Sequence, residues 1–272
     1  MPEQQQGDLM EAGEIERLAG ELSTAWATRT PAAPSVAPES IEEGYRAQAR
    51  LVEMVGTAAG YKVGYTNRVL QERFGIDGPV SGRLWSHRIF ESGATLSVPP
   101  GLDLIVEPEF AYRMAKDLPS SAGPFTAEMV AEAVDAIMPA LEIVEPRPAG
   151  WQSGGVPLTV ADNVLHSAWI GAQPILEWSA EAVPEQVVVA YINGGEVSRG
   201  SGAAVLGDPF GVMVWLANGL AERGEGLRAG EIVTTGCCTD VLQPGRQDEV
   251  RADFGPFGQV SVRFTSDAGW PD

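Results

Sequence analysis

The 272-residue sequence predicts an α+β fold: a helical N-terminal segment, residues 1–60, followed by a β-rich body, residues 61–272, that carries helices. Three observations lead there. Long apolar stripes at helical spacing open the chain. From "YKVGYT" onward the texture changes to short alternating runs punctuated by Gly and Pro. Helix signals then interrupt those runs at two places.

In chain order, Ile15, Leu18, Leu22 and Ala25 recur at helical spacing and predict a helix from about Glu11 to Trp26. "TPAAPSVAP", residues 30–38, reads as a stiff linker. A second helix starts at Ser40, which forms a capping box with Glu43 and turns Tyr45, Val52 and Val55 inward. In the body, strands are expected at 103–114, 140–145, 167–171, 186–192, 231–235 and 258–264. Asn193-Gly194 signals a hairpin. One interrupting helix is expected from Thr126 to about Ile137, with Met129, Val130, Ala133, Val134 and Ile137 on one stripe and Pro139 just beyond. The other starts at "GDPFG", with Asp208 as N-cap and Pro209 in the first helical position.

Eighteen basic against 37 acidic side chains leave a charge of −19, which argues against nucleic acid and anionic membranes as partners. An anionic substrate would need a local cation. No window predicts a membrane-spanning helix, and no signal peptide is expected. The only cysteines, Cys237 and Cys238, are adjacent and cannot staple distant segments, so a reduced, cytoplasmic setting is the expectation. Zinc-type spacings are absent. There is no G-x-S-x-G elbow, and "GSGAAVLG" has Val205 where a dinucleotide loop needs its third glycine.

The stretch "IVEPEFAY" stands out. As a strand it places Val106, Phe110 and Tyr112 on one face and Glu107 and Glu109 on the other. In "PALEIVEP", Glu142 likewise points away from Leu141 and Ile143. Three carboxylates on two strands either converge on a hard divalent cation or are solvated glutamates on edge strands. Lys62 either faces solvent or, turned inward, becomes an acid/base group. His87 and His166, the only histidines, lack metal-ligand spacing. Cys237 and Cys238 read as small core or turn residues.

The segments "YKVGYTN", "VEPEFAY", "MPALEIVEPR", "VADN", "GAAVLGDP", "WLANGLAERGEGLRAGEIVTTG" and "ADFGPFGQVSVRF", in this order, resemble the 2-keto-4-pentenoate hydratase / 4-oxalocrotonate decarboxylase family of the fumarylacetoacetate hydrolase superfamily. The likeness runs from about Tyr61 to Phe264. It implies a mixed β-roll with flanking helices as the catalytic domain, and Mg²⁺ or Mn²⁺ held by Glu107, Glu109 and Glu142. It further implies a catalytic or substrate-contacting Lys62, a substrate contact at Thr239, and apolar substrate-lining positions at Val80 and Leu84. The substrate implied is a short unsaturated 2-oxo or 2-hydroxy acid, and the reaction a hydration or decarboxylation through a metal-stabilised enolate.

Val80 stands where family hydratases carry an aspartate, and valine cannot transfer a proton. This favours decarboxylation or an atypical substrate, with His166 as a candidate replacement acid/base. Pro108 inside the Glu-x-Glu strand is a further departure, tolerated at an edge or bulge. The resemblance also implies a homo-oligomer and association with a neighbouring pathway enzyme. Two alternatives remain open at this level: a C–C hydrolase of a diketo acid, and a non-catalytic scaffold subunit.

Overall fold

The computed structural model describes residues 10–98, 101–149, 151 and 155–266. The ends of the two expected segments, 1–9 and 267–272, lie outside the described residues. Two helices come first, α1 (Ala12–Thr28) and α2 (Ile41–Val55). The capping box at Ser40 is present, and Glu43 also accepts the Met10 N–H at 2.6 Å, tying the start of α1 to α2. The face that α2 buries is Gly44, Ala47, Gln48 and Leu51; Tyr45, Val52 and Val55 are only partly covered.

The body then runs β1 (Ala58–Gly64), α3 (Arg68–Phe74), β2 (Val80–Trp85), β3 (Ile89–Glu91), β4 (Ala94–Ser97), β5 (Ile105–Met114), α4 (Ala127–Ala131), β6 (Val134–Val144), α5 (Gly155–Ala161) and β7 (His166–Gly171). It closes with β8 (Val187–Ile192), β9 (Gly195–Ser201), α6 (Pro209–Glu222), β10 (Ile232–Cys237), β11 (Glu249–Asp253) and β12 (Gln259–Thr265). Asp208 Oδ1 caps α6 by accepting the Phe210 N–H at 2.9 Å. Asn193 and Gly194, both at positive φ, turn β8 into β9 as expected.

These strands form two mixed sheets, a seven-stranded one in the order β2-β1-β10-β5-β6-β7-β3 and a five-stranded one in the order β4-β12-β11-β8-β9. The main core lies between them. Val106, Phe110, Tyr112, Leu141 and Ile143 of the larger sheet share it with Val188, Ala190, Val250, Val262 and Phe264 of the smaller. Each fully buried Val, Leu, Ile or Phe side chain among them contributes about 1.5–3 kcal/mol. The N-terminal helices bury Leu18, Leu22, Trp26 and Leu51 against Trp85 and against Leu158 and Ala161 of α5. No helix of the described residues is long and apolar enough to cross a membrane.

One expected element is corrected. The helix predicted from Thr126 to about Ile137 ends at Ala131, and residues from Val134 onward are strand β6. Pro139, expected to lie just past the helix, sits inside β6. Nearly every residue of β6 is buried on both faces, so its apolar run carries no period-two signature and mimics a helical stripe.

Each proline of the central strands keeps its acceptor bond and gives up only the reciprocal donor, beside a strand end or an irregularity. The Pro139 carbonyl accepts from Ala172 N–H, just beyond the end of β7, so its missing donor faces the place where the partner strand has stopped. Pro108 lies in β5, which is a central strand, but its carbonyl accepts from Cys238 N–H at 2.8 Å. Its missing donor faces Cys238, just past the end of β10 and past the register shift between Thr234 and Cys237, so the proline is tolerated next to a bulge in a central strand.

Candidate metal centre

β5 and β6 pair so that Glu107 lies directly opposite Glu142 and Glu109 opposite Ala140. All three carboxylates share the sheet face turned away from the main core. β10 and β1 extend this face: Ala111 of β5 pairs Thr234, which in turn pairs Lys62. Lys62 thereby enters the same face two strands away. One ligand oxygen from each of Glu107, Glu109 and Glu142 lies within 4.8 Å of the others. Glu109 and Glu142 are fully buried, and Glu107 keeps partial access to solvent. The edge-strand alternative, solvated glutamates, does not describe this arrangement.

Like charges this close raise one another's pKa, and burial adds to the effect. Burial pushes the Glu107 carboxyl up to about 7, with Lys62 opposing and Glu142 reinforcing. Burial and then its two carboxylate neighbours hold Glu109 well above the ordinary range, and burial also raises Glu142 against the pull of Lys62. For Lys62 burial works to strip the proton, but Glu142, Glu107 and Glu109 together outweigh it and leave the ammonium more firmly protonated than usual. Lys62 Nζ is 3.0 Å from Glu142 Oε2 and donates to the Val164 carbonyl at 3.1 Å.

The donors fit a hard dication. Three carboxylates against one ammonium (−3 and +1) leave a formal −2 at this spot. Glu109 Oε1 is buried without a hydrogen bond, whereas Glu142 Oε2 is met by the Lys62 ammonium at 3.0 Å. Buried acceptors left open in this way are unusual in a finished core, and all-oxygen donors suit Mg²⁺ or Mn²⁺. The second oxygen of Glu109 is fixed by the Thr234 hydroxyl and by Gly236 N–H at 2.8 Å.

His166 is fully buried at the start of β7, its Nδ1 3.1 Å from Glu142 Oε1. Burial, then the positive charges of Lys62 and Arg147, push its pKa well below the usual value. The ring is neutral, and with Glu142 ionised the proton sits on Nδ1 and is donated to the carboxylate.

The remaining expected residues are more scattered. Val80 is buried in an apolar cluster with Val156, Val160 and Val164, bordered by Tyr65, Phe74 and Ile76. Leu84 is buried on the glutamate face with Ala111, Met138, Ala140 and Trp169. Thr239 is half-buried after β10; its hydroxyl donates to the Asp240 carbonyl at 2.8 Å, and its own carbonyl accepts from Cys237 Sγ. Cys238 is a core residue, Cys237 borders the site and His87 is exposed.

Sequence reasoning missed Thr234, Gly236 and the turn from Asp162 to His166. That turn is unusual: Asn163, Val164 and Leu165 all have positive φ, at 55°, 52° and 61°. Each left-handed non-glycine residue costs roughly 1–2 kcal/mol, so its surroundings must hold it. The only signal in the sequence was "VADN" itself, whose Asn tolerates this conformation.

Two mixed sheets thus carry three carboxylates and a lysine on the face turned away from the main core. The family model for the fumarylacetoacetate (FAA) hydrolase C-terminal region matches residues 64–265, and the chain belongs to that family. Within it, the chain falls in the 2-keto-4-pentenoate hydratase / 4-oxalocrotonate decarboxylase group. It is 31% identical over 234 residues to 2-keto-4-pentenoate hydratase of Paraburkholderia xenovorans (strain LB400), covering 84% of this chain and 85% of that one. It is 30% identical over 222 residues to a 4-oxalocrotonate decarboxylase of a Pseudomonas species, covering 80% and 83%. Among solved structures, 4-oxalocrotonate decarboxylase from Pseudomonas putida G7, complexed with magnesium and adipate, shares the fold. The TM-score is 0.83 at 24% identity, over 95% of this chain and 100% of that one.

Proposed function

We propose that this protein is a divalent-metal-dependent lyase acting on a short unsaturated 2-oxo or 2-hydroxy acid. The observation that carries the reading is the convergence of Glu107, Glu109 and Glu142 within 4.8 Å of one another beside a single buried ammonium. Relatives on both sides of the group's chemistry, a hydratase and a decarboxylase, support the substrate class.

Glu107, Glu109 and Glu142 would hold Mg²⁺ or Mn²⁺, and the ion would supply a Lewis acid for the 2-oxo end of the substrate. The chain's own groups do the rest. Lys62 keeps its ammonium beside the carboxylates, placed to balance their charge and to contact the substrate. His166, neutral and buried, holds Glu142 through Nδ1 and so acts as a positioning residue more readily than as an acid. Val80 and its apolar neighbours keep water from one side of the site. Leu84 lies on the glutamate face, and Thr239, half-buried after β10, is assigned here as a further substrate contact.

Hydration and decarboxylation would draw on the same electron sink, and Val80 favours the second because it cannot shuttle a proton. Incubating the purified protein with Mn²⁺ and either 2-hydroxypenta-2,4-dienoate or 2-oxohex-3-enedioate separates them. A 4-hydroxy-2-oxo product marks a hydratase, and CO₂ release a decarboxylase. If both substrates return unchanged, the lyase reading fails. A cytoplasmic location and a homo-oligomer, with contact to a neighbouring pathway enzyme, belong to the same reading. The hydrolase alternative has less support. It calls for a mobile histidine–acid pair, and the pair seen among the described residues, His166–Glu142, is locked inside the sheet.

A further inference from the structure

The left-handed turn at Asp162–His166 touches the site at two points at once. Its Val164 carbonyl accepts from Lys62 Nζ at 3.1 Å, and its last residue, His166, meets Glu142 Oε1 at 3.1 Å. The two groups it holds are the cation of the site and the carboxylate that cation pairs with.

What holds the turn is equally specific. Asn163 lies alongside β2 and pairs with the backbone of Arg83 as a strand would: its Oδ1 accepts Arg83 N–H at 2.6 Å and its Nδ2 donates to Arg83 carbonyl at 2.8 Å. Arg147 bridges the turn's two ends, with Nε on Asp162 Oδ1 at 2.9 Å and Nη2 on the His166 carbonyl at 2.9 Å. Arg147, Asp162 and Asn163 are all buried. Two glycines make room. A Cβ at Gly82 would stand 2.7 Å from the Asn163 carbonyl oxygen, and one at Gly64 would stand 2.7 Å from Val164 Cγ1.

We infer that Asn163 is a positioning residue, and that the turn it staples to β2 is a clamp setting Lys62 and Glu142 relative to each other. Three consecutive residues are kept in the left-handed region because only that backbone course aims the Val164 carbonyl at Lys62 while delivering His166 to Glu142. Arg147 and Asp162 lock the ends, and Asn163 locks the middle. The catalytic consequence rests on the lyase reading above; the clamp itself does not.

The test uses Asn163→Ala in the full chain and reads the Lys62 ammonium directly by ¹⁵N NMR, its signal assigned by its loss in Lys62→Met. In the parent protein this buried, doubly held ammonium should exchange slowly and give a resolved signal. In Asn163→Ala that signal should broaden or vanish, with Mn²⁺ affinity and kcat each falling about 10- to 100-fold. If Asn163→Ala loses thermal stability yet keeps the signal and the Mn²⁺ affinity of the parent, the turn is merely structural and the inference is overturned. Should that variant fail to fold, Asp162→Asn keeps shape and weakens only the Arg147 lock. A smaller change in the Lys62 signal then supports the clamp, and an unchanged signal overturns it. A parent protein that shows the slow ammonium but no lyase turnover would sink the proposed function and leave the clamp standing.

Discussion

Gly236 donates its backbone N–H to Glu109 Oε2 at 2.8 Å, a bond that a regular strand would have spent on its neighbour. The bulge in β10 between Thr234 and Cys237 frees that donor and turns it toward the carboxylate. Pro108, which has no N–H to offer, faces Cys238 just beyond that bulge. One irregularity thus orients a carboxylate of the cluster.

Gly236→Ala should damage both stability and site. Its φ of 116° is poorly accessible to L side chains, and a Cβ there would stand 1.8 Å from Thr66 Oγ1. The expected loss is on the order of 2–4 kcal/mol in denaturant unfolding, with weaker Mn²⁺ binding by calorimetry. Parent-like values in both would show that the bulge does not constrain Glu109.

Removing the ammonium should expose the charge it balances. Lys62→Met leaves the carboxylate cluster, two of whose members are fully buried, without a counter-charge, and the metal-free protein should lose about 3–5 kcal/mol. Saturating Mn²⁺ should recover much of that loss. Turnover should fall by at least about 100-fold even with the ion present. Thermal melts with and without Mn²⁺, alongside steady-state kinetics, check each part.

The pH dependence has a definite sign. The site carboxyls have raised pKa values, Glu107 to about 7, so on the acid side they hold protons that an entering cation must displace. Mn²⁺ affinity should therefore fall as pH drops from 8 through about 7 to 6, with protons released on binding. The rise in Tm produced by Mn²⁺ should shrink over the same interval. Calorimetry in buffers of different ionisation enthalpy measures the proton count; an affinity flat across the range would mean the carboxylates are already ionised without the ion.

Parts of this site were legible in the sequence. Period-two alternation alone puts Glu107 and Glu109 on one strand face and Glu142 on the outward face of another, and the observed register brings them together. The α2 capping box, the Asp208 cap and the Asn193-Gly194 turn are local chemistry and were readable for that reason. Lys62 was ambiguous because its burial depends on β10 lying between β1 and β5, a parallel pairing that joins residues far apart in the chain. The clamp was unreadable on the same ground: Asn163 acts through Arg83 and Arg147 through Asp162 and His166, links that exist only after the strands assemble. The start of β6 was misread because a strand buried on both faces carries no alternation.

A milder lesion isolates the ion from the fold. Glu109→Gln keeps the acceptor for Gly236 N–H and Thr234 but removes a charge, so the fold should persist. Divalent-ion affinity should fall roughly 100-fold or more, since charge count sets affinity in oxygen-donor sites. Circular dichroism unchanged from the parent, with calorimetric binding lost, is the expected pair of results; undiminished binding would place the ion elsewhere.

The most direct test is anomalous diffraction from a crystal soaked in Mn²⁺ and oxalate, a mimic of the chelating end of a 2-oxo acid. The account predicts one strong peak bonded to carboxylate oxygens of Glu107, Glu109 and Glu142 at about 2.0–2.3 Å, with oxalate completing the shell and Lys62 alongside. Manganese bound at any other place, or oxalate that avoids the three glutamates, would contradict it.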